Sequence, residues 1–373
     1  MSDYRICKKC IMDTTDPMIS FDDNGVCNHC NNFENNIKPL WHPNETGKEI
    51  AGRIVEKIKI ENKHKEYDCI LGLSGGIDSS YLAYLASELG LRILAVHVDA
   101  GWNSEIAVQN IEKICKKLNI DLHTIVVDWS NMKELQRAYL FSGLPNQDVP
   151  QDHVFFSALY RYAVKNKVRY VLHGFNYATE GVLPASWGYD AMDLTQIKAI
   201  SKQFSRTKLK KLPLTGYIKR EIYFRMIKRM KVIKLLNYFP YKKNEAIKKL
   251  ESEFGWVYYG GKHFESRFTK FFQSYFLPTK FGYDKRRAHL SSLIVSGEIT
   301  RDKALLEMED KLYTNEQIKK DKEYILKKLD LDISDFDRIM SSQNKSHSDY
   351  PSGVKTQTLI NKTVRLIKKI FRK

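Results

Sequence analysis

The segment Ser74-Gly75-Gly76-Ile77-Asp78-Ser79 constrains the fold most, because it joins a strand pattern directly to a helix pattern. Residues 67–73 (YDCILGL) form a short apolar run, and residues 78–89 have helical periodicity. Two glycines let the backbone bend closely around an anion, and amides at a helix N-terminus bind phosphate oxygens. A carboxylate at Asp78 would repel a bare phosphate, so the segment predicts a phosphate site bridged by Mg²⁺. The alternative is an ordinary strand–turn–helix joint.

Strand and helix patterns alternate after this segment. Strands are predicted at residues 91–98, 122–127 and 168–173, with helices at 104–118 and 151–165. The alternation predicts an α/β fold with a doubly wound, mostly parallel sheet, in which ligands bind at the carboxyl ends of the strands. Beyond about residue 190 the strand patterns fade, and helices are predicted near residues 197–210, 217–236, 243–254, 264–275, 286–296, 301–309 and 314–328.

Four of the six cysteines form two CxxC pairs near the start of the chain, Cys7 with Cys10 and Cys27 with Cys30. Each pair brings two thiolates to one ion, and two pairs complete a tetrahedral shell. The spacing predicts a structural zinc ribbon over residues 1–36, with an iron–sulfur cluster as the alternative. We interpret His29 as a bystander, because four thiolates already fill the shell.

The net charge of +17 is concentrated in two places. Residues 198–249 contain 17 lysines and arginines and two acids, and residues 355–373 contain seven basic residues and no acid. Such charge indicates contact with anions. We interpret the internal block as a docking surface for an acidic partner, a membrane or an anionic sugar nucleotide, with a solvated basic face as the alternative.

The end of the chain has its own pattern. Residues 342–353 are polar and predict a linker, and the tail after them predicts a helix with one apolar and one basic face. That helix contacts a membrane surface or a partner, or else packs on its own domain. With no run of 18 apolar residues and no leader pattern, we expect a cytoplasmic protein, with peripheral contact to the inner membrane left open. The predicted divisions between ribbon and tail are a linker and helix at 37–62, an ATP-binding domain at 63–190 and a helical substrate or partner region at 191–341.

The SGGxDS segment resembles the pyrophosphate loop of the PP-loop ATP pyrophosphatases, a HUP-like superfamily of adenine nucleotide α-hydrolases. Its members cleave ATP between the α and β phosphates and adenylate an oxygen of the substrate, and a nucleophile then displaces AMP. The resemblance implies that residues 74–79 hold pyrophosphate and that Asp78 binds Mg²⁺. It also implies that Val98 and Asp99, at the end of the second strand, lie beside the adenosine.

The stretch HGFNYATE at residues 173–180 resembles the GTxNxxE element of the NAD synthetases. The resemblance implies that Gly174 and Asn176 contact the nucleotide. It also implies that Glu180 completes the Mg²⁺ site with Asp78. The alternative is that Glu180 is an acid on a helix face.

Four further stretches, KKCIMDTTDP, GVCNHC, KHFESRFTKFFQ and LPTKFGYDKRRAHLSSLI, resemble the N-acetyl sugar amidotransferases of surface-polysaccharide and nonulosonic-acid biosynthesis. The resemblance covers most of the chain. Such proteins serve lipopolysaccharide, O-antigen or flagellin glycan pathways. They convert an acetamido group of an activated amino sugar into an acetamidino group, with ammonia supplied by a separate glutaminase subunit. The implied cofactors are ATP, Mg²⁺ and Zn²⁺.

The block at residues 260–304 is the predicted substrate side. Besides Asp78, the predicted catalytic residues are Lys280, Lys285 and Arg286. The predicted substrate contacts are His263, Glu265, Arg267, Asp284 and Arg287. Arginine forks suit bidentate contact with the carboxylates or phosphates of an anionic sugar, and Glu265 or Asp284 is a candidate base. The alternative is a solvated helix face above an aromatic core.

Two other functions stay open. A tRNA thiolase shares the PP-loop, and the basic block fits tRNA. However, Cys69 and Cys115, the two cysteines outside the ribbon, do not form a sulfur-transfer pair. A non-catalytic nucleic-acid-binding or assembly protein is opposed by the intact loop, so nucleic acid is not the expected partner. Neither cysteine lies in a glutaminase motif, so ammonia arrives free or from a partner.

Overall fold

The computed structural model describes residues 4–261, 264–311 and 313–370, with side chains described up to residue 364. Five parallel strands form one sheet in the order β3-β2-β1-β4-β5. Their bounds are Cys69–Gly72 (β1), Ile93–Asp99 (β2), Asp121–Val126 (β3), Tyr170–Leu172 (β4) and Lys231–Ile233 (β5). The predicted parallel α/β fold is confirmed. The strand order reverses between β1 and β4, which places a crevice at their carboxyl ends.

Sixteen α-helices are found in the described residues. Their bounds are Asn28–Asn32 (α1), Glu45–Glu61 (α2), Ile77–Glu88 (α3), Glu105–Leu118 (α4), Trp129–Phe141 (α5), Val149–Lys165 (α6), Tyr177–Glu180 (α7), Leu194–Phe204 (α8), Lys243–Phe254 (α9), Arg267–Phe271 (α10), Leu277–Phe281 (α11), Arg286–Val295 (α12), Arg301–Glu309 (α13), Asn315–Lys328 (α14), Ile333–Ser341 (α15) and Val354–Ile370 (α16). Short π-helices cover Phe33–Ile37, Lys219–Ile227 and Phe272–Phe276, and 3₁₀ turns cover Lys38–Leu40, Leu235–Tyr238 and His347–Asp349. Over the described residues, no helix is long and apolar enough to cross a membrane.

The fifth strand lies where a helix was predicted, at residues 217–236. The observed π-helix ends before Arg229, whose left-handed φ of 53° turns the chain. Lys231 N then donates to Arg169 O at 2.8 Å, and β5 pairs with β4. A three-residue edge strand that begins with an exposed lysine carries no alternation long enough to identify it.

Helices cover both faces of the sheet, because successive strand residues point to opposite sides. Leu71 packs into one core with side chains of α2, α3, α4 and α9. Ile70 packs into the other with side chains of α5, α6 and α8. A third core joins the four ribbon cysteines to aromatic residues of the C-terminal helices, such as Phe268 and Phe336. The ribbon is therefore packed against the C-terminal region.

The predicted linker at residues 342–353 is packed onto the domain. Tyr350 OH donates to Ser142 O at 2.6 Å, and Gly353 N donates to the Asp193 carboxylate at 2.9 Å. The polar side chains of this segment bond to backbone groups. Free linkers have a similar polar composition, so the sequence does not distinguish the two. The predicted tail helix is confirmed as α16, and its Leu359 is exposed. Contact of this helix with a membrane or a partner stays a prediction.

Two histidines with lowered pKa values, the buried His153 and the partly exposed His347, predict loss of stability in acid. His153 accepts from Thr215 N through Nε2, and its Nδ1 bonds to Ala191 O; burial lowers its pKa to about 4. Burial also lowers the pKa of His347 to about 4. A histidine whose folded pKa lies below the unfolded value of about 6.5 binds protons preferentially in the unfolded chain. We therefore expect the free energy of unfolding to fall between about pH 6.5 and pH 4, by roughly 3 kcal/mol for each residue.

Urea unfolding of the whole chain at several pH values checks this expectation. The His153→Gln variant should be less stable at pH 7 but should have a shallower decline below pH 6.5. A decline of equal steepness in both proteins would show that His153 is not a source of the acid sensitivity.

Candidate active site

The backbone of the loop after β1 has the shape of an anion cradle. Gly75 has a left-handed φ of 79°, and a Cβ there would overlap the carbonyl oxygen of Ala107 on α4. Glycine is therefore required by both conformation and space. Gly76 is the N-cap of α3 and makes no side-chain cap, so no N-cap side chain takes up the first-turn amides of the helix. Trp256 Nε1 donates to Gly75 O at 3.0 Å and fixes the bend from outside.

The two serines brace the cradle. Ser74 Oγ and Ser79 Oγ lie 3.1 Å apart, and Ser79 Oγ accepts from Ser74 N at 3.3 Å. Ser74 Oγ also accepts from Gly76 N at 3.2 Å. These bonds hold the loop in its bent shape.

A carboxylate and a phenol lie over the cradle. Ile77 N donates to Tyr259 OH at 3.3 Å, and Ser74 Oγ donates to Glu265 Oε1 at 3.5 Å. The oxygens of Tyr259 and Glu265 thus accept hydrogen bonds from amide and hydroxyl groups that could also bind phosphate oxygens. Sequence reasoning predicted Glu265 as a substrate contact and missed Tyr259; its one signal was the aromatic run WVYY beside two glycines.

Asp78 is held in place by two neighbours. Its Oδ1 accepts from Tyr241 OH at 2.5 Å and from Asn176 Nδ2 at 3.1 Å. Asn176 Oδ1 caps α7 by accepting from Thr179 N at 2.9 Å. Asn176 is buried, lines neither cavity described below and holds the Asp78 carboxylate, and its contact with the nucleotide stays a prediction. Tyr241 was missed by sequence reasoning.

Two adjoining cavities lie at the carboxyl ends of the strands. The strand-end cavity has a volume of about 530 Å³ and is lined by Ser74, by residues 96–98 of β2 and by side chains of α6 and of residues 183–188. The loop cavity has a volume of about 470 Å³ and is lined by residues 76–79, by residues 258–261 and by the start of α12. They share seven lining residues, His173, Gly174, Glu180, Glu265, Gln273, Lys285 and His289.

Val98 and Asp99 have different surroundings because alternate residues of a parallel strand direct their backbone groups to opposite neighbours. Val96 O accepts from Leu73 N at 2.9 Å, so Val96 and Val98 face the β1 side, where β1 has ended. Val98 lines the strand-end cavity, and its contact with adenosine stays a prediction. Asp99 O accepts from Val127 N on the β3 side, and its carboxylate accepts from Gly101 N at 2.7 Å. Asp99 lines neither cavity and shapes the turn after β2.

His173, at the end of β4, is a site residue that sequence reasoning did not single out. Its Nδ1 accepts from Phe175 N at 3.0 Å, and its ring stacks on Phe156 with centroids 5.4 Å apart. Burial lowers the pKa of His173. The ring is therefore neutral at pH 7 with its proton on Nε2, which makes Nε2 a donor at the junction of the cavities.

Part of the block at residues 260–304 reaches the cavities. Glu265 and Lys285 line both, and Asp284 and Arg286 line the loop cavity. Lys285 Nζ lies 3.8 Å from Asp148 Oδ2, so its charge is paired with a carboxylate of the strand-end cavity. Arg286 pairs with Asp284 at 2.7 Å and donates to Asp310 O at 2.8 Å, which fixes the start of α12.

Three predicted residues lie elsewhere, each bound to a structural partner. Arg267 pairs with Asp321 at 2.6 Å and covers the ring of Tyr324. Lys280 donates to the carbonyl oxygens of Met340 and Ser342 near the end of α15. Arg287 pairs with Asp13 at 3.0 Å and donates to Ile11 O in the ribbon. None of the three lines either cavity. His263 lies outside the described residues.

The four ribbon cysteines converge on one point. Their Sγ atoms all lie within 4.8 Å of one another, with Cys10 and Cys27 3.7 Å apart and Cys7 and Cys30 4.0 Å apart. Tetrahedral thiolates bound at about 2.3 Å have edges of about 3.8 Å, so the donor set fits one ion. Cys7 Sγ accepts from the backbone amides of Lys9, Cys10 and Cys27. His29 Nε2 bonds to Asp16 at 2.7 Å, away from the cluster.

The chain matches two protein families over adjacent regions. Residues 68–246 match the family described as queuosine biosynthesis protein QueC. Residues 265–364 match the family described as LPS biosynthesis protein WbpG-like, C-terminal domain. The first region contains the five strands and the 74–79 loop, and the second contains Glu265, Lys285 and α12.

Similar proteins include two that carry tRNA in their names. A tRNA(Ile)-lysidine synthase from Chlamydia pneumoniae is 29% identical over 138 residues, which cover 36% of this chain and 40% of the relative. A tRNA-specific 2-thiouridylase MnmA 2 from Fusobacterium nucleatum is 27% identical over 169 residues, which cover 41% of this chain and 48% of the relative. The matches thus span less than half the length of each relative.

Among solved structures, an NH3-dependent NAD synthetase from Campylobacter jejuni in complex with a nitrate ion aligns with a TM-score of 0.29 and 18% identity. The alignment covers 55% of this chain and 84% of that chain. The sequence matches and the loop geometry support a place in the PP-loop ATP pyrophosphatase superfamily, whose members use ATP and Mg²⁺. The chain joins a QueC-like PP-loop domain to a WbpG-like C-terminal domain, and residues of both line the candidate active site.

Proposed function

We propose that the chain is an ATP-dependent amidotransferase that converts an acetamido group of an activated amino sugar or nonulosonic acid into an acetamidino group. The observation that carries the proposal is that two WbpG-like residues, Glu265 and Lys285, line the same cavities as the pyrophosphate loop. A domain similar to those of LPS biosynthesis proteins thereby supplies part of an ATP site. In the proposal, the acetamido group of the sugar is therefore bound beside the ATP that activates it.

The chemistry divides into two displacements. The acetamido oxygen attacks the α phosphorus of ATP, the bond to the β-phosphate oxygen breaks, and pyrophosphate leaves. The resulting O-adenylyl imidate has AMP as its leaving group, so ammonia can attack its carbon. Ammonia attacks this carbon and gives up one proton to a base. The carbon–oxygen bond then breaks, AMP carries away the acetamido oxygen, and the former ammonia remains as the NH2 group of a protonated acetamidino product. An amide without activation is too poor an electrophile for ammonia.

The residues of the chain have separate roles in this scheme. The 74–79 loop holds pyrophosphate, and the Val98 backbone faces the adenosine. Lys285 neutralises charge that develops at the α phosphate, because it stands at the junction of the cavities. Glu265 is the candidate base for ammonia, since arriving pyrophosphate would take its hydroxyl partner Ser74 at the loop.

Metal ions complete the site in the proposal. Asp78 and Glu180 would hold Mg²⁺, and Glu180 lines both cavities. Carboxylate oxygens are the ligands that Mg²⁺ prefers, and the ion neutralises phosphate charge. The four ribbon thiolates would hold Zn²⁺, because the short distances between sulfurs fit one ion better than a cluster whose irons each take one thiolate.

Ammonia comes from outside the chain in this proposal. Cys69 and Cys115 are both buried, and burial raises the pKa of each thiol, to about 11 for Cys115. Neither is an exposed nucleophile of the kind that glutamine hydrolysis or sulfur transfer requires. A separate glutaminase subunit is the proposed source.

ATP cleavage with product analysis tests the proposal. Purified chain is incubated with Mg²⁺, ATP and ammonium and with acetamido-sugar nucleotides or nonulosonic acids. Formation of AMP, pyrophosphate and a sugar lighter by about one mass unit (O replaced by NH) supports it. With glutamine in place of ammonium, the chain alone should form no lighter sugar. ADP formation, or no cleavage with the whole panel, would contradict it.

A tRNA-modifying PP-loop enzyme is the second candidate. Lys202, Arg206, Lys208, Lys210 and Lys211 in the basic block are exposed, and two similar proteins have tRNA in their names. Unmodified tRNA is therefore included in the same panel. AMP formation that depends on tRNA, together with a log–log fall of binding with salt, would favour this candidate over the amidotransferase.

The ribbon gives a prediction about metal removal. Arg301 Nε donates to Cys7 O and Cys10 O, and Arg287 ties α12 to the ribbon, so the ribbon supports the helix beside Lys285. We expect Cys10→Ser to abolish binding of one zinc per chain, to lower the melting temperature by at least about 5 °C and to reduce AMP formation. Metal content by mass spectrometry and thermal unfolding check this.

Cys115→Ser is the matched control, because Cys115 is a buried thiol of α4 outside the cluster. It should retain one zinc per chain. Iron with the visible absorption of an iron–sulfur cluster in the purified protein would contradict the zinc assignment.

A further inference from the structure

The π-helix Lys219–Ile227 carries an apolar stripe on its outer side. Lys228 N donates to Tyr223 O, five residues earlier, at 2.9 Å. Hydrogen bonds of this span widen the turn to about 4.4 residues, so residues four, five and nine apart lie on one face. The exposed apolar residues at this spacing, here called the stripe, are Ile218, Ile222, Tyr223 and Ile227. With the 3.6 residues per turn of an α-helix, the same four would spread over half the circumference.

The side chains of the stripe are in contact with water. Ile218 and Ile227 are 62% and 63% exposed. Phe224, on another side of the π-helix, is buried in the core between the sheet and α5, α6 and α8, so the orientation of the helix is fixed. Val232 of the neighbouring edge strand β5 is exposed as well. Single exposed apolar residues are common, but a contiguous group of them indicates an interaction surface.

Cations border the stripe. Residues 218–234 contain seven lysines and arginines and a single acid, Glu221. Glu221 is buried and pairs with Arg220 and Arg225. Three further cations are exposed and pair with no carboxylate of the described ranges, namely Lys219, Lys228 and Arg229. Their charges are therefore available to an anionic surface.

The fold brings the basic tail helix to the same place. The Asp190 carboxylate accepts from Gln357 Nε2 of α16 at 3.0 Å and pairs with Arg220 of the π-helix at 3.5 Å. Leu359 of α16 is exposed, and residues 355–373 contain seven basic residues and no acid. The two segments that concentrate the net charge of the chain thus adjoin, although they lie far apart in the sequence.

We propose that the stripe and its bordering cations bind the surface of a membrane rich in anionic lipids, with the aliphatic side chains inserted among the headgroups. Isoleucine gains free energy by leaving water, and lysine and arginine gain by approaching anionic headgroups. Tyr223 suits the same depth, because tyrosine favours the boundary between lipid and water. Single-stranded nucleic acid would instead favour stacking aromatic side chains among the cations, and the stripe contains one ring and three aliphatic residues.

Co-sedimentation of the full chain with lipid vesicles tests the proposal. One set of vesicles is phosphatidylcholine alone, and the other contains about 30% phosphatidylglycerol. We expect the affinity for the anionic set to be about 10-fold higher or more and to fall with added salt. Two double variants, Ile218→Ser with Ile227→Ser and Lys219→Gln with Lys228→Gln, should each weaken this binding by about 10-fold.

Ile60→Ser with Ile333→Ser is the matched control, because these isoleucines of α2 and α15 are 63% and 66% exposed. Its binding should stay within about 2-fold of the parent, and all three variants should keep the parent melting temperature, since the substituted side chains are exposed. Equal binding to both vesicle sets, unchanged binding after removal of the two stripe isoleucines, or an equal loss in the control would overturn the proposal. Binding of tRNA in place of vesicles, weakened by the two lysine substitutions, would assign the patch to nucleic acid and overturn it as well.

Discussion

Replacing Asp78 by asparagine is expected to reduce AMP formation by roughly 10³-fold, because a neutral amide is a poor Mg²⁺ ligand and leaves phosphate charge uncompensated. The carboxylate follows Gly76 and Ile77 in the pyrophosphate loop and is fixed by Tyr241 and Asn176. Because asparagine has nearly the same shape, the loop should keep its conformation. Single-turnover formation of AMP, measured with saturating ATP and acceptor, checks the rate.

Tyr241→Phe provides a graded comparison. It removes one hydrogen bond to Asp78 and keeps the carboxylate, so the loss should be about 10-fold and should be partly restored by more Mg²⁺. Equal losses in the two variants, or a rate for Asp78→Asn within about 10-fold of the parent, would show that the carboxylate does not bind the catalytic metal.

Replacing Lys285 by methionine is expected to slow AMP formation by about 10²-fold with little change in ATP affinity, because its charge is needed most as the α phosphate reacts. Methionine retains the packing of the side chain beside Phe272. Lys280→Met is the matched control, since Lys280 binds carbonyl oxygens near the end of α15. It should lower the melting temperature and leave the rate per folded molecule within about 2-fold.

Comparison of kcat and KM in these two variants checks the assignment. If Lys280→Met lost most of its rate of AMP formation and Lys285→Met kept the parent rate, Lys280 would be the catalytic lysine. Similar losses in both would indicate a general effect on the C-terminal helices.

Features of the site that depend on local spacing could be predicted from the sequence. The pyrophosphate loop and the two CxxC pairs each lie within a few residues, so spacing alone specifies their geometry. The alternation of strands and helices likewise predicted the parallel sheet. The side chains that fix the loop could not be found in this way, because Tyr241, Trp256 and Tyr259 lie 163, 181 and 182 residues from their partners along the chain.

The block at residues 260–304 could be predicted from the sequence only in part. Its composition predicts polar contacts but does not say which partner each residue has. Arg286 and Arg287 are neighbours on α12 and point about 100° apart, so one lines the loop cavity and the other binds the ribbon. Arg267 and Lys280 likewise have structural partners in α14 and at the end of α15. Tertiary packing separates these roles, and no local pattern encodes it.

Transfer of the acetamido oxygen to AMP tests the central claim most directly. The acceptor sugar is labelled with ¹⁸O in its acetamido group and reacted with ATP, Mg²⁺ and ammonium under single-turnover conditions. Mass spectrometry of the products should find the label in the phosphate of AMP and an acetamidino sugar without it. Label retained in the sugar, or AMP formed without label, would contradict activation of the acetamido oxygen by adenylation.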